Sequence, residues 1–149
     1  MQRKRKWKWE IEGYQDKRGE NKIFLEFTGL GEKYWYVREE NEGREQKYAT
    51  LEQAKEALRK AGYLEELKPY DWWTDLEVET PKGDSAFLTA EVEKTTKGDF
   101  FARVDTPILE IGQFDEVIFP TLHKAKQACE ALLNGVLRFL EIQGWKVKE

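Results

Sequence analysis

Apolar and polar residues alternate through residues 6–12, where Trp7, Trp9 and Ile11 interleave with Lys6, Lys8, Glu10 and Glu12. That is the period of a half-buried strand. Residues 13–21 are polar and contain Gly19, which suits a turn. Ile23-Phe24-Leu25-Glu26-Phe27 reads as a second strand and Lys33-Tyr34-Trp35-Tyr36-Val37-Arg38 as a third, favoured by its aromatic and β-branched content. A polar hairpin loop over residues 39–46 leads to a short fourth strand, Lys47-Tyr48-Ala49. The period then changes to three and four. Leu51, Ala54, Ala57, Leu58 and Ala61 form one helical face, Thr50 and Gln53 have capping-box spacing, and Gly62 is a natural stop.

The same order recurs. Residues 76–79, 86–92, 100–104 and 116–119 read as strands separated by Pro81-Lys82-Gly83-Asp84, Lys97-Gly98-Asp99 and a longer loop with Pro107 and Gly112. Thr121 caps a second, longer helix with Leu122, Ala125, Cys129, Leu132, Val136, Leu137 and Leu140 on its apolar face, and Asn134-Gly135 is a candidate kink. Trp145 is placed to dock on the core. Thr50-Leu51-Glu52-Gln53-Ala54-Lys55-Glu56-Ala57 aligns with Thr121-Leu122-His123-Lys124-Ala125-Lys126-Gln127-Ala128, matching in Thr, Leu, Ala, Lys and Ala.

The expected fold is therefore α+β. It comprises two tandem β-β-β-β-α units, residues 1–62 and 75–149, with antiparallel sheets each packed against a helix and joined as an intramolecular pseudo-dimer. Residues 63–74, with Tyr63, Pro69, Tyr70, Trp72 and Trp73, read as an aromatic linker that packs. A unit of this size is marginal alone, so a merged single domain is the alternative division.

With 40% hydrophobic and 13% aromatic residues among 149, the chain has enough apolar area for a core. No apolar run approaches the roughly 18 residues of a membrane helix, so no membrane partner is expected. The single Cys129 excludes an internal disulfide, and one histidine, His123, excludes a His-rich metal centre. A soluble, cytoplasmic protein is the expectation. The net charge of −4 is unevenly spread: Arg3, Lys4, Arg5, Lys6 and Lys8 make the first half positive, and the second half is acidic.

No catalytic constellation emerges. Gly29-Leu30-Gly31 lacks the remainder of a nucleotide fingerprint. His123 and Cys129 lie six residues apart, so on a helix they face different ways. His123 reads as an exposed first-turn residue and Cys129 as a small core residue. No cofactor, metal or enzymatic activity is expected.

Binding remains. Tyr34, Tyr36 and Arg38 share one face of the third strand, opposite Trp35 and Val37. Rings interleaved with cations on an open sheet stack bases and hold phosphates. Equally, these rings could form the contact between two sheets. With the basic arm (Arg3, Lys4, Arg5, Lys6, Lys8), itself also readable as a solvated terminus, they make a candidate nucleic-acid-binding set for single-stranded DNA or RNA. The alternative is a protein-interaction module, an inhibitor or adaptor, using Tyr70, Trp72 and Trp73 and the acidic second half. A homo-oligomer is compatible with either.

Four strands then a helix, duplicated, resembles the Whirly, PC4 and PUR group of single-stranded nucleic-acid-binding proteins. The acidic second half departs from that group. Trp35-Tyr36-Val37, a polar hairpin, then Tyr48-Ala49-Thr50 and Ala54, resembles the strand–strand–helix of integrase arm-binding domains. Both resemblances imply nucleic acid as the partner, and neither assigns a contact residue.

Overall fold

The computed structural model describes residues 5–16, 22–27, 32–38, 45–60, 67–108, 110–111 and 118–148. Over these residues the protein is α+β, with a large antiparallel sheet and two helices. Two separate sheets were expected; the strands instead belong to one hydrogen-bonded order. The chain divides into two compact units, residues 11–71 and residues 1–10 with 72–149.

In the unit of residues 11–71, β1 (Glu10–Gln15), β2 (Lys22–Phe27), β3 (Lys33–Arg38) and β4 (Glu45–Tyr48) pair in sequence as an antiparallel meander. Helix α1 (Leu51–Lys60) follows. Its start is the expected reciprocal box: the Gln53 N–H donates to the Thr50 hydroxyl, and the Thr50 N–H donates to the Gln53 side-chain oxygen. Ala54 and Leu58 then meet Ile23 and Val37 in a small core, flanked by Tyr14, Trp35, Tyr48, Leu51 and Leu67. The expected stop at Gly62 lies outside the described residues.

The other unit holds most of β5 (Lys68–Glu79), with β6 (Ser85–Lys94), β7 (Phe100–Asp105), β8 (Glu110–Ile111), β9 (Ile118–Phe119), α2 (Leu122–Ile142) and β10 (Lys146–Val147). Both β8 and β9 pair with β7, while β10 pairs with β5. Two turns share one pattern, Thr80-Pro81-Lys82-Gly83-Asp84 and Thr95-Thr96-Lys97-Gly98-Asp99. In each, the Thr N–H donates to the Asp carbonyl and the Gly N–H to the Thr carbonyl. Gly83 and Gly98 adopt φ of 92° and 91°, where a side chain would be strained.

Thr121 accepts from the Lys124 N–H and caps α2, as expected. Its buried residues are Ala125, Cys129, Leu133, Val136, Leu137 and Leu140. Leu133 takes the fully buried place expected for Leu132, which is only partly buried. Between Cys129 and Val136 the buried stripe steps by four then three, so it passes through 133. No interruption occurs at Asn134-Gly135: α2 is one continuous helix. Trp145 packs against the core.

Three further expectations change. Regular strand begins at Glu10, not near Lys6, and Ile11 is exposed. Trp7 and Trp9 instead anchor the preceding segment to α2. The Trp7 indole N–H donates to Asn134 Oδ1 at 3.0 Å and that of Trp9 to Glu130 Oε1 at 3.2 Å. The Thr74 hydroxyl holds the Lys8 carbonyl at 2.6 Å. Second, Gly13 to Gln15 is strand and not turn. Third, the expected linker is strand from Lys68 onward: Tyr70, Trp72 and Thr74 are buried at alternate positions of β5. Residues 63–66 lie outside the described residues.

Burial of Cys129 among these apolar groups pushes its thiol up to about 12, with Glu130 adding to the rise. The folded value lies above the ordinary 9.0, so this stability is complete below pH 9 and is lost as pH rises toward 12. Native protein at pH 8 should therefore leave Cys129 unreactive to an aromatic disulfide reagent, and denatured protein should react at once. Leu133→Ala should cost about 2–5 kcal/mol in a denaturant titration, and Leu132→Ala clearly less.

Candidate nucleic-acid interface

The cross-strand register of the 11–71 unit fixes which side chains share a face. Ile23 pairs with Val37 and Trp35 with Tyr48, and this side meets α1. The alternate positions therefore point away from α1. There, Gly13 pairs with Phe24, Phe24 with Tyr36, and Tyr36 with Lys47. A neighbouring row sets Glu26 against Tyr34, and another sets Lys22 against Arg38. Among the described residues the unit's helix is α1, and it packs on the opposite face.

The rings are organised by one another and by cations. Phe24 and Tyr36 stack with centroids 5.8 Å apart and planes at 15°. The Arg38 guanidinium lies 5.2 Å from the Phe24 centroid, the Lys47 ammonium 4.6 Å from that of Tyr34, and the Lys22 ammonium 5.0 Å from that of Tyr70. A cation over a ring face is attracted to its quadrupole and is worth about 0.5–1 kcal/mol where exposed. The Tyr34 hydroxyl donates to Glu32 at 2.6 Å, and this hydrogen bond to a carboxylate holds the phenol above its ordinary value.

Tyr70 explains Gly13. A Cβ at position 13 would stand 2.6 Å from Cε1 of Tyr70 and 3.0 Å from Cβ of Asp71. The strand keeps glycine there because the Tyr70 ring occupies the space a side chain would need.

The structure thus brings Tyr34, Tyr36 and Arg38 together as expected, with both tyrosines half-buried and Arg38 exposed. It adds Phe24, Lys22 and Lys47, which the sequence reading missed. The alternation of Lys22, Phe24 and Glu26 with Ile23 and Leu25 was the available signal. Arg5, Lys6 and Lys8 are exposed, on the Trp-anchored segment of the other unit. Arg3 and Lys4 lie outside the described residues. Of the alternative protein-binding set, Tyr70 and Trp72 are buried at 6% and 8% exposure and serve as core, not as a docking surface. Trp73 is half-buried, and its indole donates to Asp75.

The corresponding helix-free side of the other unit has opposite electrostatics. Glu91, Glu93 and Asp105 pair with Arg103, Phe101 and Thr89, away from the buried Ala90, Val92, Ala102 and Val104. Rings are present there, with Phe87 53% exposed, and among the paired residues just named three carboxylates stand beside one arginine. Such a face repels phosphate.

Among the described residues no group of His, Cys, Asp and Glu is placed to hold a metal ion. His123 is exposed while Cys129 is fully buried. Comparison with protein-family models, curated proteins and solved structures finds no match.

Gly13→Ala should lower the melting temperature, since the Tyr70 ring or the strand must shift. Adding Tyr70→Ala should recover part of the specific Gly13→Ala penalty, a coupling that a thermal-melt double-mutant cycle reads directly.

Proposed function

We propose that this protein is a non-catalytic nucleic-acid-binding module that takes single-stranded DNA or RNA on the helix-free face of β1–β3. The observation that carries the reading is the ring set Phe24, Tyr34 and Tyr36 with Lys22, Arg38 and Lys47 placed over aromatic faces on one side of the meander. Stacking on an aromatic side chain requires a base whose face is free, which favours single strands over duplex. Each stacked base is worth about 1–3 kcal/mol. A cation that turns from its ring to a phosphate gives up about 0.5–1 kcal/mol of ring contact, which the stronger charge–charge contact offsets.

The two units further read as copies of one β-β-β-β-α ancestor, supported by Thr caps at matching places, Thr50 and Thr121. After duplication, one face kept cations and the other became acidic. The cytoplasm is the proposed compartment; a reducing environment suits the free Cys129 thiol.

Fluorescence anisotropy with labelled single-stranded DNA, single-stranded RNA and duplex DNA tests the reading. Single strands should bind with a slope of log affinity against log salt of about −2, the value for three phosphate contacts at about −0.7 each. Tyr36→Ala and Phe24→Ala should each weaken binding by about 1–3 kcal/mol without changing that slope. Equal binding to duplex, or binding insensitive to salt, contradicts the proposal.

A further inference from the structure

The strand β4 ends the hydrogen-bonded order, with only β3 beside it among the described residues. An unpaired edge offers backbone N–H and C=O groups to any strand that reaches it. Beside this edge, between β4 and α1, runs a groove of about 730 Å³ lined by Tyr48, Glu52, Gln53, Glu56, Ala57 and Lys60. The Tyr48 ring and the Ala57 methyl supply its apolar surface, and the Tyr48 hydroxyl is turned to Gln46. We infer that this edge and groove are the contact by which two copies of the chain associate, β4 against β4 and α1 beside α1, antiparallel about a twofold axis.

The charge pattern selects the second copy as the occupant. Glu52, Glu56 and Lys60 are spaced by four and form one exposed stripe along α1. Glu56 is neutralised by Arg59 of its own helix. Glu52 and Lys60 have no ion pair among the described residues. An antiparallel copy centred on Glu56 sets Lys60 of each chain against Glu52 of the other, twice by symmetry. The stripe is thus complementary to itself reversed. Strand spacing agrees: with β4 paired to β4, the two β3 strands stand roughly 14 Å apart, and α1 contacts both β3 and β4. Long side chains such as Glu52, Lys60 and Tyr48 reach across that gap. Association of this kind does not depend on nucleic acid.

Sedimentation of the nuclease-treated 149-residue chain tests it through charge reversal at two exposed positions. The wild type should sediment at twice the chain mass at low salt and shift toward monomer as salt rises. Lys60→Glu sets acid against acid, and Glu52→Lys sets base against base. Each variant alone should be monomeric with an unchanged circular dichroism spectrum. Mixing the two should restore the double mass, as should the double variant Glu52→Lys/Lys60→Glu. A monomeric wild type at low salt overturns the inference. So does a pair of single variants that associate as the wild type does, or that stay monomeric when mixed.

Discussion

A sheet has two faces, and among the described residues each unit has one helix with which to cover one of them. That constraint organises the rest. Residues at alternate positions must be apolar where the helix sits: Ile23 and Val37 under α1, and Leu88, Ala90, Val92, Ala102 and Val104 on the α2 side. The intervening positions are released from packing and acquire their own chemistry. In the 11–71 unit they became rings with cations laid over them, and in the other they became rings among carboxylates. The two faces turned away from the helices differ in charge, and a polyanion would be attracted to the first and repelled by the second.

The tryptophans show how the α2 unit closes. Trp7 and Trp9 are more than 120 residues from their partners Asn134 and Glu130, yet both indole N–H groups are satisfied there. Buried indoles keep a polar atom that must find an acceptor. Lys126 adds its ammonium over the Trp9 ring at 5.6 Å, and burial holds that amine below its ordinary value, opposed by Glu130. Arg5, Lys6 and Lys8 are consequently displayed from an anchored segment.

Much of this was legible in the sequence, and the failures have physical causes. Both helix starts were readable because a threonine cap is a local event decided within four residues. The face shared by Tyr34, Tyr36 and Arg38 was readable because strand period is fixed at two. The strand through Tyr70, Trp72 and Thr74 was not, because Pro69 and the adjacent pair Trp72-Trp73 obscure an alternation that is present. Gly13 looked like a turn residue, and only the approach of Tyr70, far along the chain, shows why it lies in a strand. Leu132 and Leu133 both fit steps of three and four between Cys129 and Val136, so the period admits either, and in the fold it is Leu133 that is fully buried.

The most direct test of the central account is a nuclear magnetic resonance titration with a short single-stranded oligonucleotide, following the ring protons of Phe24, Tyr34 and Tyr36. Base stacking places these protons in the shielding cone of a nucleobase, so they should move upfield together and saturate with one affinity, while Trp35 and Tyr48 on the α1 side stay still. Rings that do not shift, or shifts confined to the α1 side or to the Phe87 face, would contradict it.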